Sequence, residues 1–210
     1  MKYQIYKPRL AGANMVGRHI LAAAEESVGY FGQNGLQTLL KNERRKFIMS
    51  LHSAQEVAAW LLATHYGQML ELGVEDDLTN MKLQSLLYYA QGASLGLTGK
   101  PLFRDQLVAR PEGPIVESVY RAYKGFGSRA IDRINGEYNV DAFTPEEVDL
   151  LRQVMEIFAD YRASALLRMS HAELPWQEAW QRGDGTPLRQ ETMRDYFQEH
   201  YVENGDKKTA

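Results

Sequence analysis

The sequence predicts a mainly α protein: a compact single-domain helical fold around a central buried helix, with at most a small β-hairpin and with an N-terminal arm. Three observations carry that prediction. Apolar residues recur at helical spacing in segment after segment, several with side-chain caps placed before them. One helix, around "MKLQSLLYYAQG" (81–92), is apolar on more than one side, which suits the middle of a domain. Turn signals are few, so any sheet is small.

The first 50 residues form a basic arm, weakly structured or not native at all, because Met49 also reads as a start before "SLHSAQEVAAWLL". Residues 1–48 hold eight Lys and Arg against three Glu, a net +5, whereas the remainder holds sixteen against twenty-four, a net −8. A helical domain spans 51–202, and 203–210 is a polar tail. Within the domain, Ser53 and Glu56 have capping-box spacing, and Val57, Leu61, Leu62, His65 and Met69 follow on one side of a helix ending near Gly73. His65 belongs to that stripe and reads as a core histidine.

Thr79 caps the next helix. Leu83, Leu86, Leu87, Ala90, Ser94 and Leu97 make its main face; Met81, Tyr88 and Leu95 make a second row; Ser85, Gly92 and Gly96 line a third side where another backbone can approach closely. Tyr88 is read as buried with a hydroxyl that needs a partner, and Tyr89, at the edge of the stripe, as the one that reaches the surface. After Gly99 comes an extended "LFRDQLVA", then Gly113-Pro114 as a turn with Pro near a helix start, and Val116, Val119, Tyr120 and Tyr123 on a third helix. Asn135-Gly136 could join two short strands. Thr144, Pro145 and Glu147 open a helix with Val148, Leu151, Met155 and Phe158 on its apolar side; shorter helices follow at "ALLRMSH" and "LPWQEAW", and a last one carries Met193, Tyr196 and Phe197.

The 210 residues include no cysteine, which removes disulfides, thiolate nucleophiles and cysteine-ligated metals. No apolar run reaches the roughly 20 residues that cross a bilayer, and no secretory leader is evident, so a cytoplasmic protein is expected. Phosphate-binding loops, dinucleotide-binding glycine patterns, nucleophile elbows and zinc-protease motifs do not occur. His171 and Glu173 could be drawn as a base and its orienter, but no nucleophile accompanies them. The acidic runs "EDD" (75–77) and "PEE" (145–147) precede helices, where they suit the positive dipole end. No catalytic, cofactor-binding or metal-binding residue is therefore assigned, and no cofactor is expected. Nucleic acid could be met only through the arm, at "KNERRKF".

Four ordered pieces carry a family resemblance over roughly residues 53–200: "VAAWLL"; "LTNMKLQSLLYYAQG" followed by "LTGKPLF"; "ARPEGPIVESVYRAYKGFG"; and "MSHAELPWQEAW". Together they resemble the Panacea-domain antitoxin family of GepA- and SocA-like proteins, with Ser85 and Ala93-Ser94 departing from the residues expected there. The resemblance implies a mostly helical, non-catalytic domain that neutralises a cognate protein toxin of a toxin–antitoxin system by direct binding. Alternatives are an adaptor delivering a bound toxin to a protease, or a DNA-binding regulator acting through the arm. Among the motif residues, Leu83, Tyr88, Gly113, Pro114, His171, Pro175 and Trp176 are read as structural, Gly113 and Pro114 in turn geometry and His171, Pro175 and Trp176 as a latch onto the central helix. Aromatic and charged residues read as exposed supply the candidate toxin contacts: Tyr89, Glu112, Tyr123 and Trp180, with Arg44 and Arg45 on the arm.

Overall fold

A single helix, buried along almost its whole length, sets the position of everything else. The computed structural model describes residues 51–73, 78–135, 139 and 142–202. In chain order these form α1 (Ala54–Leu72), α2 (Asn80–Thr98), strands β1 (Val108–Arg110) and β2 (Gly113–Ile115), α3 (Glu117–Tyr123) running into a 3-10 turn (Lys124–Phe126), α4 (Pro145–Phe158), α5 (Ala163–His171), α6 (Leu174–Gln181) and α7 (Gln190–His200). The chain is mainly helical, with one two-stranded antiparallel hairpin among the described residues.

The caps read from the sequence are present. Ser53 and Glu56 form a reciprocal capping box at α1, Thr144 and Glu147 another at α4 with Pro145 in its first turn, and the Thr79 hydroxyl accepts from the Lys82 amide at α2. His65 is buried within α1. Residues 82–96 of α2 are buried on every side, with Tyr88 and Leu95 of the second row in the core and Met81 half-buried. The small-residue side is where α7 packs. A side chain at Gly92 would run into the Phe197 ring, and one at Gly96 would meet the Phe197 and Gln198 backbone at about 3.0 Å. Ser85, Ala93 and Ser94, where the chain departs from the family pattern, are buried too.

A helix surrounded by protein can keep polar side chains only if they find partners. On α2 they hold the connecting segments. Gln84 Oε1 accepts from the Val116 amide (2.9 Å) while its Nε2 donates to Asn80 Oδ1 (3.1 Å), and Asn80 Nδ2 donates to the Tyr120 carbonyl (3.0 Å). Gln91 Oε1 accepts from the amides of Leu102 (2.9 Å) and Phe103 (3.1 Å), and its Nε2 donates to the Phe103 carbonyl (3.0 Å). Replacing Gln91 with Leu would strand three buried backbone groups. An unfolding loss of about 2–4 kcal/mol in urea titration is expected, since each unpaired group costs about 1–3 kcal/mol and the loop relaxes in part.

Three sequence readings are corrected. Gly113 and Pro114 do not open a helix; they lie in β2, paired with Arg110 and Ala109, and α3 begins at Glu117 after Val116. Proline has no amide hydrogen to donate, which a short edge strand tolerates. The hairpin therefore lies at 108–115, and the Asn135-Gly136 turn with its flanking residues falls partly outside the described residues. Tyr89 does not reach the surface: its whole side chain is buried, as is that of Tyr123.

Candidate functional site

Glu173, immediately before α6, explains the burial of Tyr89. Its carboxylate turns into the core and accepts hydrogen bonds from three phenols: Tyr88 (2.6 Å), Tyr89 (3.2 Å) and Tyr201 (2.5 Å). Two adjacent tyrosines can point into one core because a single carboxylate from a segment 84 residues later serves both hydroxyls. The Tyr89 ring also stacks on Phe158 at 3.9 Å between centroids, and Phe197 and Tyr201 stack beside it at 4.9 Å. Burial pushes the Glu173 carboxyl above its ordinary range, against the opposing pull of the three phenol hydrogen bonds. Burial first, then the charge of Glu173, raises Tyr88, Tyr89 and Tyr201 far above the usual phenol range. These phenols stay protonated as donors.

His171 and Glu173 serve different neighbours and do not form an acid–base pair. The His171 ring stacks on Trp176 (3.9 Å, 19°); burial lowers its pKa, and a backbone hydrogen bond with Pro111 works in the other direction. Trp176 stacks in turn on Trp180 (5.3 Å, 11°), and its indole N–H donates to the Arg110 carbonyl (3.2 Å). These three rings form a ladder from α5 and α6 along the β1–β2 hairpin. The latch onto α2 is thus made by Glu173, while His171 and Trp176 hold the hairpin and Pro175 is buried in α6.

Pro111 and Glu112 form the two-residue turn of the hairpin. It closes tightly because Gly113 has φ +100, and a Cβ there would lie 3.2 Å from Leu167 Cδ1 and 3.3 Å from Ser170 Oγ. The segment between α6 and α7 runs beside β1, with Ala109 donating to the Thr186 carbonyl (2.9 Å) and Leu188 to that of Leu107 (2.9 Å). Arg110 pairs with Glu117 and with Asp184 (3.1 Å), and Glu117 also pairs with Arg121. These exposed ion pairs add little to stability. They set a charged pattern around an open groove of about 470 Å³ that also takes in Glu112, Tyr120 and Lys124.

Of the residues read as toxin contacts, Glu112 and Trp180 are exposed; Tyr89 and Tyr123 are core residues, the latter's hydroxyl accepting from the Asn135 amide (3.1 Å). Arg44 and Arg45 lie outside the described residues. Leu83, Tyr88, Gly113, Pro114, Pro175 and Trp176 are buried and His171 is half-buried. Sequence reasoning missed Glu173 as the hub and Tyr201 as its third donor. Four-residue spacing of Met193, Phe197 and Tyr201 was the available signal for the latter.

A mainly helical domain built on one buried helix, closed by a carboxylate–tyrosine clasp, is the class defined by this fold. Residues 83–177 match the family model described as antitoxin SocA-like, Panacea domain. The matched span runs from α2 into α6 and includes Glu173 and the whole hairpin. Among curated proteins, antitoxin SocA of Caulobacter vibrioides (strain NA1000 / CB15N) is 31% identical over 121 residues, covering 53% of this chain and 64% of that protein. No solved structure matches the chain.

Proposed function

We propose that this chain neutralises a cognate protein toxin by binding it directly in the cytoplasm, without catalysis, as the antitoxin of a two-gene system. The observation that carries the reading is the family-model match together with outward-facing residues near the β1–β2 hairpin: exposed Trp180, which rests on the Trp176 ring and through it on His171, and exposed Glu112 in the hairpin turn. A rigidly backed aromatic loses little conformational freedom on binding, which favours it as an anchor. The net −8 of residues 49–210 would speed encounter with a basic partner. Among the described residues, no helix is long and apolar enough to cross a membrane.

The test is co-expression with the neighbouring gene: its product arrests growth alone, and growth returns when the full chain is present and co-purifies with it. Rescue that needs a housekeeping protease would make the chain an adaptor, and no complex at all would end the reading. Trp180→Ala combined with Glu112→Lys is expected to weaken the complex at least tenfold by calorimetry while leaving the unfolding midpoint within a few degrees. Arg44 and Arg45 share the contact in this reading, so reversing both to Glu lowers the affinity too; unchanged affinity would restrict contact to residues 51–202.

A further inference from the structure

Helix α7 carries three parallel rows at four-residue spacing. Met193, Phe197 and Tyr201 face the core; Thr192, Tyr196 and His200 form a shoulder; Glu191, Asp195 and Glu199 lie on the outer side. Against the shoulder stands the flank of α6 that bears Leu174 and Glu178, the flank opposite its Trp176–Trp180 side. Between the two helices runs an open groove of about 640 Å³. Its apolar part is Leu174, 53% exposed, and the Tyr196 ring, on which the His200 ring stacks at 4.2 Å. The lining has four carboxylates, Glu178, Glu191, Asp195 and Glu199, and neither lysine nor arginine.

Those carboxylates are not equally committed. Half-buried Glu178 is engaged by its own chain, accepting from Arg189 (2.7 Å) and from the Thr192 hydroxyl (2.6 Å), and these bonds tie α6 to α7 along the groove. Among the described residues Asp195 pairs only with its neighbour Arg194, and Glu191 and Glu199 make no ion pair. The Tyr196 phenol is pushed up to about 12, first by burial and then by the charges of Glu173 and Glu199, which reports the sign of the field there. An exposed leucine beside a half-buried tyrosine ring, edged by a row of like charges, is complementary to an apolar side chain flanked by cations.

The geometry points to the α6–α7 groove as the docking site for a basic amphipathic segment of a protein partner, one apolar side chain entering between Leu174 and Tyr196 and Lys or Arg residues pairing with Glu191, Asp195 and Glu199. Successive carboxylates are about 6 Å apart along α7, the rise of four helical residues, which matches cations at i, i+4 and i+8 of an α-helix laid alongside. An anionic lipid surface is repelled by the same row, and a second copy of this chain in two-fold contact would oppose carboxylate to carboxylate. This inference rests on the toxin-binding reading for the identity of the partner and not for the chemistry of the segment.

Full-length wild type, Leu174→Asp and the double variant Glu191→Lys/Glu199→Lys are compared for binding the product of the neighbouring gene, with thermal melts confirming that these exposed substitutions leave the fold intact. Each variant is expected to lose at least tenfold in affinity, and the double variant to lose most of the salt dependence as well. Wild-type affinity in both would overturn the groove while leaving the antitoxin reading in place. If wild type itself fails to bind, that reading falls and the groove is judged on isotope-labelled full chain titrated with an 18-residue Leu/Lys amphipathic helical peptide. Amide shifts centred on Leu174, Thr192 and Tyr196, absent with the Leu/Glu counterpart, uphold it. Shifts elsewhere, equal shifts with both peptides, or dimerisation of wild type abolished by Leu174→Asp overturn it.

Discussion

Gly92→Ala is expected to lower the unfolding free energy by about 3 kcal/mol, at the upper end of what adding one methyl to a packed core costs. A Cβ built at Gly92 lies 2.2, 2.3 and 2.5 Å from three atoms of the Phe197 ring. The ring has nowhere to go: Phe197 is fully buried, with Tyr88 at 5.4 Å and Tyr201 at 4.9 Å between centroids. Relief therefore requires α7 to move off α2. Alanine is the better helix former, so helix propensity alone would stabilise the variant. Gly67→Ala separates the two effects, because Gly67 lies within α1 with nothing within 4 Å of its Cβ position and should gain about 0.5–1 kcal/mol. Urea titration of both variants checks the pair. A second check is Phe197→Ala in the Gly92→Ala background: the double variant should be more stable than the sum of the two losses by at least about 1 kcal/mol, as expected for residues competing for one space.

This contact shows what kind of information the sequence carried. The row Ser85, Gly92 and Gly96 announced a close helix approach, because glycine at helical spacing leaves a groove whatever fills it, but nothing local named α7 as the occupant. The caps at Ser53, Thr79 and Thr144 were legible for the same reason, since each depends on residues three or four apart. Tyr89 was misplaced by the opposite circumstance. A helical wheel weighs a tyrosine by the company on its own helix, whereas burial of a phenol is decided by whether an acceptor arrives, and here the acceptor is Glu173. Tyr123 followed the same course, its hydroxyl meeting the Asn135 backbone. Gly113-Pro114 was read from the usual preference of proline for a helix start; pairing with β1, made possible by the φ of Gly113, prevailed. On the surface, Glu112 and Trp180 are exposed as read, with no long-range polar partner among the described residues, while the acidic outer row of α7 went unread within an apparently ordinary amphipathic helix.

Glu173→Leu is expected to cost about 2–5 kcal/mol, because it leaves the hydroxyls of Tyr88, Tyr89 and Tyr201 buried with no acceptor, each worth about 1–3 kcal/mol and not fully additive. Glu173→Gln keeps the volume and one acceptor oxygen and should cost less. The pH dependence of the Gln variant then tests the charge. Burial holds the folded carboxyl above its ordinary value of 4.5, so folding favours the protonated form. The stability that Glu173 contributes is therefore fully present below about pH 4.5 and is lost as pH rises through the raised folded value. Glutamine does not titrate, so the advantage of wild type over Glu173→Gln should be greatest in acid and shrink on moving toward neutrality. Glu56, Glu117 and Glu147, whose carboxyls are held below the ordinary range, destabilise both proteins alike in acid and cancel in the difference. Urea titrations of the two proteins at half-unit steps from pH 4 to 8 read that difference directly. A difference that grows with pH would mean that the three phenols stabilise the anion by more than burial penalises it, and the clasp would then be tightest as a carboxylate at neutral pH.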